Sequence, residues 1–341
     1  MSNSVSISGF ASIAVASSAE NNFVNKSNRK LMRFARKSGQ MSLLTLIDAL
    51  TMSKLDLADI APERRALLFS DFLNLVPDVE KTMEVLLAIT DGGKAYEKAN
   101  FVKNVSDNWS VIEVLKNVPN IPAFIASQEF GVKGVTTTEL SSCAGGLLCL
   151  ESGYNLIRSG QAEVAFVSAS SAKLNSIELP FFNQLGFYND GDFNLLNGAA
   201  ALILESEEHV KARNGKIYAK ISGCQTSFSP KTYSDHVFDP GSIAFMLDTF
   251  SQPPYVCEDY VVGSFSKKLL ASEINLVSGY NFNILESSSF KCQKGYSFAA
   301  SGFMEIISLI RSGFSKGTIV NSFGFGGQNA SIAVYPNNME V

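Results

Sequence analysis

Cys143 is the residue of this chain best placed for covalent chemistry. It stands in Thr136-Thr-Thr-Glu-Leu-Ser-Ser-Cys143-Ala-Gly-Gly-Leu-Leu, a strand-to-helix turn flanked by small residues. A cysteine that begins a helix sits at the positive end of the helix dipole, which favours thiolate, and the neighbouring backbone N–H groups can receive a thioester carbonyl oxygen. The turn therefore suits a thiol that accepts an acyl group. It equally suits a small buried cysteine at a tight turn, because reactivity requires exposure and a depressed pKa. Imidazole, the usual partner of such a thiol, is scarce, for His209 and His236 are the only histidines of the chain. His209 lies in Glu207-Glu-His-Val-Lys-Ala-Arg-Asn-Gly215 and reads as scaffold on a surface helix, and His236 reads as a solvated residue of a polar loop.

The thiol needs strands and helices to hold it, and the composition allows them. With 341 residues, 46% hydrophobic and 18% charged, the chain can bury a sizeable core as one large domain or two fused halves. A net charge of -4 without a basic cluster argues against a nucleic-acid surface. Five cysteines, an odd number without C-x-x-C spacing, suggest neither a disulfide framework nor a zinc site, and no site for a metal or organic cofactor is visible. A reducing cytoplasm is the expected location. The first residues alternate polar and apolar through Ser4-Val-Ser-Ile-Ser-Gly-Phe without a signal-like apolar core, and no run reaches membrane-spanning length, so no targeting segment or membrane span is expected.

Val5 to Ile7 reads as a strand leading into a small-residue turn, Ser42 to Leu50 as a helix and Arg65 to Ser70 as a buried strand. The charged stretch from Asp78 to Asp107 reads as a solvated face. A helix stops at Gly131 and a strand enters the Cys143 turn. Ala162 to Ser170 is nearly all apolar, which suits a central strand, and Gly198 to Glu205 is another. The polar helix Glu207 to Arg213, the strand Lys216 to Ile221 and a strand at Ile274 to Ser278 follow. Next come a helix from Ser301 to Ser312, a strand from Gly317 ending in Phe323-Gly-Phe-Gly-Gly-Gln-Asn329, and Ala330 to Tyr335. Alternating strands and helices indicate a layered α/β fold.

Several of these segments, in this order, resemble the elongating β-ketoacyl synthases. They are Asn117-Val-Pro-Asn-Ile-Pro with Phe130-Gly-Val-Lys-Gly134, the Ser142-Cys143-Ala-Gly-Gly turn, Leu156-Ile-Arg-Ser-Gly160 and Gly198-Ala-Ala-Ala-Leu-Ile-Leu-Glu205. Lys291, Gly295-Tyr-Ser-Phe-Ala-Ala-Ser-Gly302 and Asn321-Ser-Phe-Gly-Phe-Gly-Gly-Gln-Asn329 complete the set. The resemblance implies a duplicated thiolase-like fold with layers αβαβα, an N-terminal half over residues 1–225 and a shortened C-terminal half over 226–341. It also implies a two-fold or pseudo-two-fold dimer, and an acyl carrier protein as partner, which could dock on a local basic patch.

Ketosynthases pair the cysteine with two histidines, one in an H-G-T-G-T-like turn and one in a G-H motif after a lysine. Here the resemblance puts Tyr280 at the first position and Tyr296 at the second, with Lys291 as the lysine. Decarboxylating a malonyl thioester creates an enolate oxygen that needs preplaced donors. Two phenols, which titrate near 10 and carry no positive charge, are weaker stabilisers than two imidazoles. Phe323 falls at the family's channel-gating aromatic, Phe325 beside it reads as packing of the glycine-rich turn, and Leu179 to Phe187 reads as core, dimer contact or channel end. Segments that wall the acyl channel are trimmed between Tyr280 and Lys291 and between Ile310 and Gly317. Three functions are implied. One is a chain-length-factor-like subunit forming a heterodimer with an active ketosynthase in type II polyketide or fatty-acyl assembly. Another is an acyltransferase using Cys143, and the last a homodimeric condensing enzyme with tyrosines in place of histidines.

Overall fold

The computed structural model describes residues 5–15, 29–72, 115–188, 192–229, 239–253, 255 and 257–339, with isolated positions 83, 87, 103 and 112. The charged stretch from Asp78 to Asp107, apart from Met83, Leu87 and Lys103, and His236 lie outside the described residues. The first half runs β1 (Val5–Val15), α1 (Arg29–Met32), α2 (Lys37–Ser53), β2 (Arg65–Phe72), α3 (Ile121–Phe130), β3 (Thr136–Glu139), α4 (Gly145–Arg158), β4 (Val164–Ser171), α5 (Glu178–Gln184), β5 (Asn197–Ser206) and α6 (Glu207–Ala212). The second runs β6 (Ala219–Phe228), α7 (Pro240–Phe250), β7 (Asp259–Val261), α8 (Lys267–Val277), β8 (Asn283–Ile284), α9 (Phe290–Gln293), α10 (Ser301–Ser312), β9 (Thr318–Phe323) and β10 (Gln328–Pro336).

Among the described residues the strands join in the order β3-β2-β4-β5-β1-β6-β10-β9-β7-β8. This order is a palindrome of topology. On one side β2 is parallel to β3 and β4, and β5 is antiparallel to β4 and β1. On the other, β7 is parallel to β8 and β9, and β10 is antiparallel to β9 and β6. The two sides meet where Val5–Ile7 of β1 pairs antiparallel with Ala219–Ile221 of β6. The fold is therefore a duplicated α/β unit. The repeat opens with β6 at Ala219.

Helices make the outer and middle layers. α2 lies on β1, β4 and β5, and α7 lies on β6 and β10. Between the halves, α4 touches β2, β4 and β5 on one side and β6 and β10 on the other, and packs against α10. One core is built there from Leu147, Leu150, Phe303, Ile306, Leu202 and Ile332, all fully buried. The layer order αβαβα follows from this sandwich. β2 and β4 are buried at every position, as strands covered on both faces must be. The second half is the leaner one, with parallel strands of three residues in β7 and two in β8.

Three elements differ from expectation. β1 continues past Ile7 to Val15 through a register shift at Ser8. Its small residues serve close packing of α2, for a Cβ on Gly9 would meet the Ser53 Cβ at 2.8 Å. Residues 216–218 precede β6, which starts at Ala219. Ile274 to Ser278 is no strand but the end of α8, whose buried face is Leu269, Leu270, Glu273 and Val277. The buried acid at Glu273 hides the helical period.

α4 approaches the second half so closely that a side chain on Gly146 has no room. A Cβ there would overlap the Ala299 carbonyl oxygen and lie 3.1 Å from the Ala169 Cβ. Gly146→Ala should lose roughly 2–3 kcal/mol of stability through overpacking against backbone, read as a lowered urea midpoint at unchanged slope. A midpoint within error of wild type would mean that the halves can part without cost.

Candidate active site around Cys143

Cys143 sits in a single 3-10 turn, Ser142–Ala144, between β3 and α4. The chain enters through Ser142 with φ 55°, the left-handed region that non-glycine residues seldom adopt. Three hydrogen bonds hold that geometry. The Ser142 hydroxyl donates to Cys143 Sγ at 3.6 Å and accepts from the Phe325 N–H at 3.3 Å, while the Ser322 hydroxyl donates to the Cys143 carbonyl at 2.6 Å. The turn is thus pinned to β9 and to the glycine-rich segment of the second half.

The thiol is fully buried. Burial pushes its pKa up to about 11, against a downward pull from Tyr296, Ser142 and the Lys291 charge. On the order of one thiol in ten thousand is then thiolate at neutral pH. The helix dipole was expected to favour the anion, and desolvation outweighs it. Tyr296 is the group that faces the sulfur. Its hydroxyl makes no hydrogen bond of good geometry, and burial first, then Cys143, drive its titration well above the ordinary phenol range. Its backbone is fixed, since Tyr296 N–H donates to the Asn194 carbonyl and Leu196 N–H to the Tyr296 carbonyl.

Lys291 is 3% exposed on α9. Its ammonium donates to the Val262 carbonyl and, at 3.4 Å, to the Ser264 carbonyl, and it lies 5.8 Å from the centroid of the Tyr296 ring. The N–H groups of Phe290 and Lys291 donate to Glu305 at 2.6 and 3.0 Å. Lys291 therefore ties α9 to the turn 262–266 that follows β7. Tyr280 is placed elsewhere. Its hydroxyl donates to Asp248 on α7 at 3.0 Å and its ring stacks on Phe282, so the turn reaching the site from the second half is 262–266 and not the one at Tyr280.

Phe323 is fully buried on β9, against the bare Gly263 backbone. Phe325 is the hub of a ring cluster. Its centroid lies 4.5 Å from Phe265, 5.1 Å from Phe187 and 5.3 Å from Phe182, and about 6.1 Å from Phe72 and Phe298. Sequence reading missed Phe72, Phe265 and Phe298, and missed Ser142 and Glu273. Phe72 ends the apolar β2 run and Phe298 lies inside the Gly295–Gly302 segment, but no spacing announces that they converge. His209 is scaffold by geometry, with Nδ1 2.6 Å from buried Glu205, which also takes Arg213 at 2.7 and 2.9 Å.

The β-ketoacyl synthase N-terminal domain model matches residues 12–195. The chain belongs to the β-ketoacyl synthase family. A putative mitochondrial 3-oxoacyl-[acyl-carrier-protein] synthase of Schizosaccharomyces pombe is 30% identical over 127 residues, 32% of this chain and 30% of that protein. A 3-oxoacyl-[acyl-carrier-protein] synthase 2 of Synechocystis is 22% identical over 63% of this chain and 65% of its own length. The aligned parts thus cover less than two thirds of these synthases. In fold, the chain matches a type II polyketide ketosynthase solved with its acyl-carrier protein at a TM-score of 0.73, with 19% identity, 99% of this chain and 100% of that one. The ishigamide ketosynthase/chain length factor gives 0.74 at 15% identity, over 98% of this chain and 99% of that one. The family match lies in the first half of the chain, and the Cys143 thiol within it is buried. No helix of the described residues is long and apolar enough to cross a membrane.

Proposed function

We propose that this chain is a ketosynthase-like subunit without condensing chemistry of its own. In that role it pairs, in the manner of a chain-length factor, with an active ketosynthase that elongates polyketide or fatty-acyl chains on an acyl carrier protein. The observation that carries the reading is the Cys143 thiol, sealed from solvent, pushed up to about 11, and faced by the uncharged Tyr296 phenol. A nascent enolate oxygen would find one neutral donor where the family supplies two imidazoles. The likeness to a ketosynthase/chain length factor structure supports the role at the level of fold. A sheet edge supports a partner. Among the described residues β3 ends the sheet, its flanking Val135 and Leu140 are exposed, and so are Phe181 on α5 and Ile177 and Leu185 at its two ends, at helical spacing.

The acyltransferase reading keeps one observation in its favour, the retained thiol under the charge of Lys291. Transfer through Cys143 needs a thiolate but no enolate donor. Cys143→Ala separates the two, because a channel-shaping subunit tolerates it and a transferase does not. The decisive assay gives the purified chain malonyl-loaded carrier protein and an acyl primer. No elongated product is expected until a ketosynthase with an intact Cys-His-His set is added, when native mass spectrometry should show a one-to-one complex. Steady turnover by the chain alone would sink the proposal.

A further inference from the structure

Lys267, Leu270 and Ile274 follow the i, i+3, i+7 spacing that puts residues on one face of a helix, here α8. This face walls a cleft of about 390 Å³, which Cys292 of α9 and Glu286 from the turn before it line from the other side. The interior is apolar, with Phe193 and Leu270 both buried. The rim is charged. Among the described residues neither the Lys267 ammonium nor the Glu286 carboxylate has an ion pair, and Asp192, the acid beside Lys267, accepts from its backbone N–H at 2.8 Å. The two rim charges are thus exposed, opposite in sign and not paired with each other.

We propose that the α8–α9 cleft is a binding site for a small apolar zwitterion, a free apolar amino acid being the simplest. Such a molecule carries both of the charges that the rim can answer, its carboxylate meeting Lys267 and its ammonium meeting Glu286. Its side chain covers Phe193, Leu270 and Ile274, so that apolar walls hold it and the two charged groups fix its orientation. An ion of either sign satisfies one rim charge and faces the other as a like charge. An uncharged molecule leaves both rim charges unanswered. The bound molecule also bridges two supports of one turn, because Glu273 on α8 and Lys291 on α9 both grip the turn 262–266. Exposed ion pairs contribute little and the apolar wall is small, so the expected dissociation constant is about 1 mM. The site neither needs nor reaches Cys143, so it stands apart from the proposed loss of condensing chemistry.

Cys292, exposed on the cleft wall, reports occupancy. Its rate of alkylation by iodoacetamide, read by peptide mass mapping of the native chain, should fall about fivefold or more in about 10 mM L-phenylalanine. Phenethylamine lacks the carboxylate, hydrocinnamate lacks the ammonium and glycine lacks the side chain, so each should slow it less than about twofold. In Lys267→Gln phenethylamine should protect as well as L-phenylalanine, and in Glu286→Gln hydrocinnamate should. Both side chains are exposed, so these variants keep the fold. Saturation-transfer NMR of L-phenylalanine with Cys292→Ser carries the test where a bound ligand leaves the thiol within reach of the reagent. Equal protection by the three aromatic compounds, a ranking unaltered in both variants, or neither protection nor saturation transfer with L-phenylalanine would each overturn the proposal. The readout is occupancy, so the result stands whether or not the chain proves inert in condensation.

Discussion

Glu273→Ala is expected to remove roughly 4–5 kcal/mol of folding stability, an exceptional loss for one truncated side chain. Glu273 is fully buried on α8. It accepts from the Tyr260 hydroxyl at 2.8 Å, from the N–H groups of Gly263 and Ser264 at 2.7 and 2.9 Å, and from the Ser264 hydroxyl. One carboxylate thus satisfies four donors, and truncation leaves all four buried without a partner. Each such orphan costs about 1–3 kcal/mol, and the total stays below the sum because part of the turn can relax toward water. Glu273→Gln keeps one acceptor oxygen but turns an NH2 group toward N–H donors, so roughly half the loss is expected. Urea unfolding of both variants at neutral pH checks the ranking. An alanine variant within about 1 kcal/mol of wild type would mean that the turn 262–266 is held by something else.

The same residue marks the limit of what the sequence reveals. β4, β5 and α10 are legible because their signals are local, a run of small and apolar residues bounded by turns or an apolar face at helical spacing. The Cys143 turn is legible for the same reason, since Gly145 and Gly146 permit the close approach of helix and strand. α8 is not, because a buried glutamate reads as a solvent face, and with Glu273 taken as exposed the remaining Ile274-Asn-Leu-Val alternates like a strand. The environment of the thiol is illegible in principle. The thiol shares its buried cluster with Phe72, Phe193, Phe265, Tyr296 and Phe323, which come from five separate segments and meet only once the two halves have closed.

That closure decides the balance of electrostatic effects. A helix terminus contributes about 0.3–1 kcal/mol at an exposed site, while one pKa unit of desolvation is worth about 1.4 kcal/mol. A cysteine at the head of a helix is therefore activated only while water reaches it. Here the rings exclude water, and the dipole, Lys291 and Ser142 together fail to offset the burial. The Cys143 turn is best understood as a thiol packed into the core of a ketosynthase-like fold.

A second buried acid makes stability depend on pH. Asp71, next to the end of β2, is 6% exposed, with the Ser38 and Ser170 hydroxyls donating to it at 3.0 and 3.2 Å. Burial raises its pKa from 3.8 to about 7, against the pull of Ser38, Arg36 and Ser170. A folded-state pKa above the unfolded one means that the native chain binds the proton more tightly. The associated stability is then fully present below about pH 4 and is lost as pH rises through about 7. At about 1.4 kcal/mol for each pH unit between those limits, the loss comes to roughly 4 kcal/mol. Asp71→Asn has no charge to desolvate, and its amide can exchange hydrogen bonds with the two hydroxyls. It should match wild type within about 1 kcal/mol near pH 4 and exceed it by roughly 3 kcal/mol near pH 8. Urea midpoints measured across that range should therefore diverge with rising pH, with the variant holding level where the wild type falls. Parallel curves would mean that Asp71 titrates alike in both states, and that water or a charge reaches it in the folded chain.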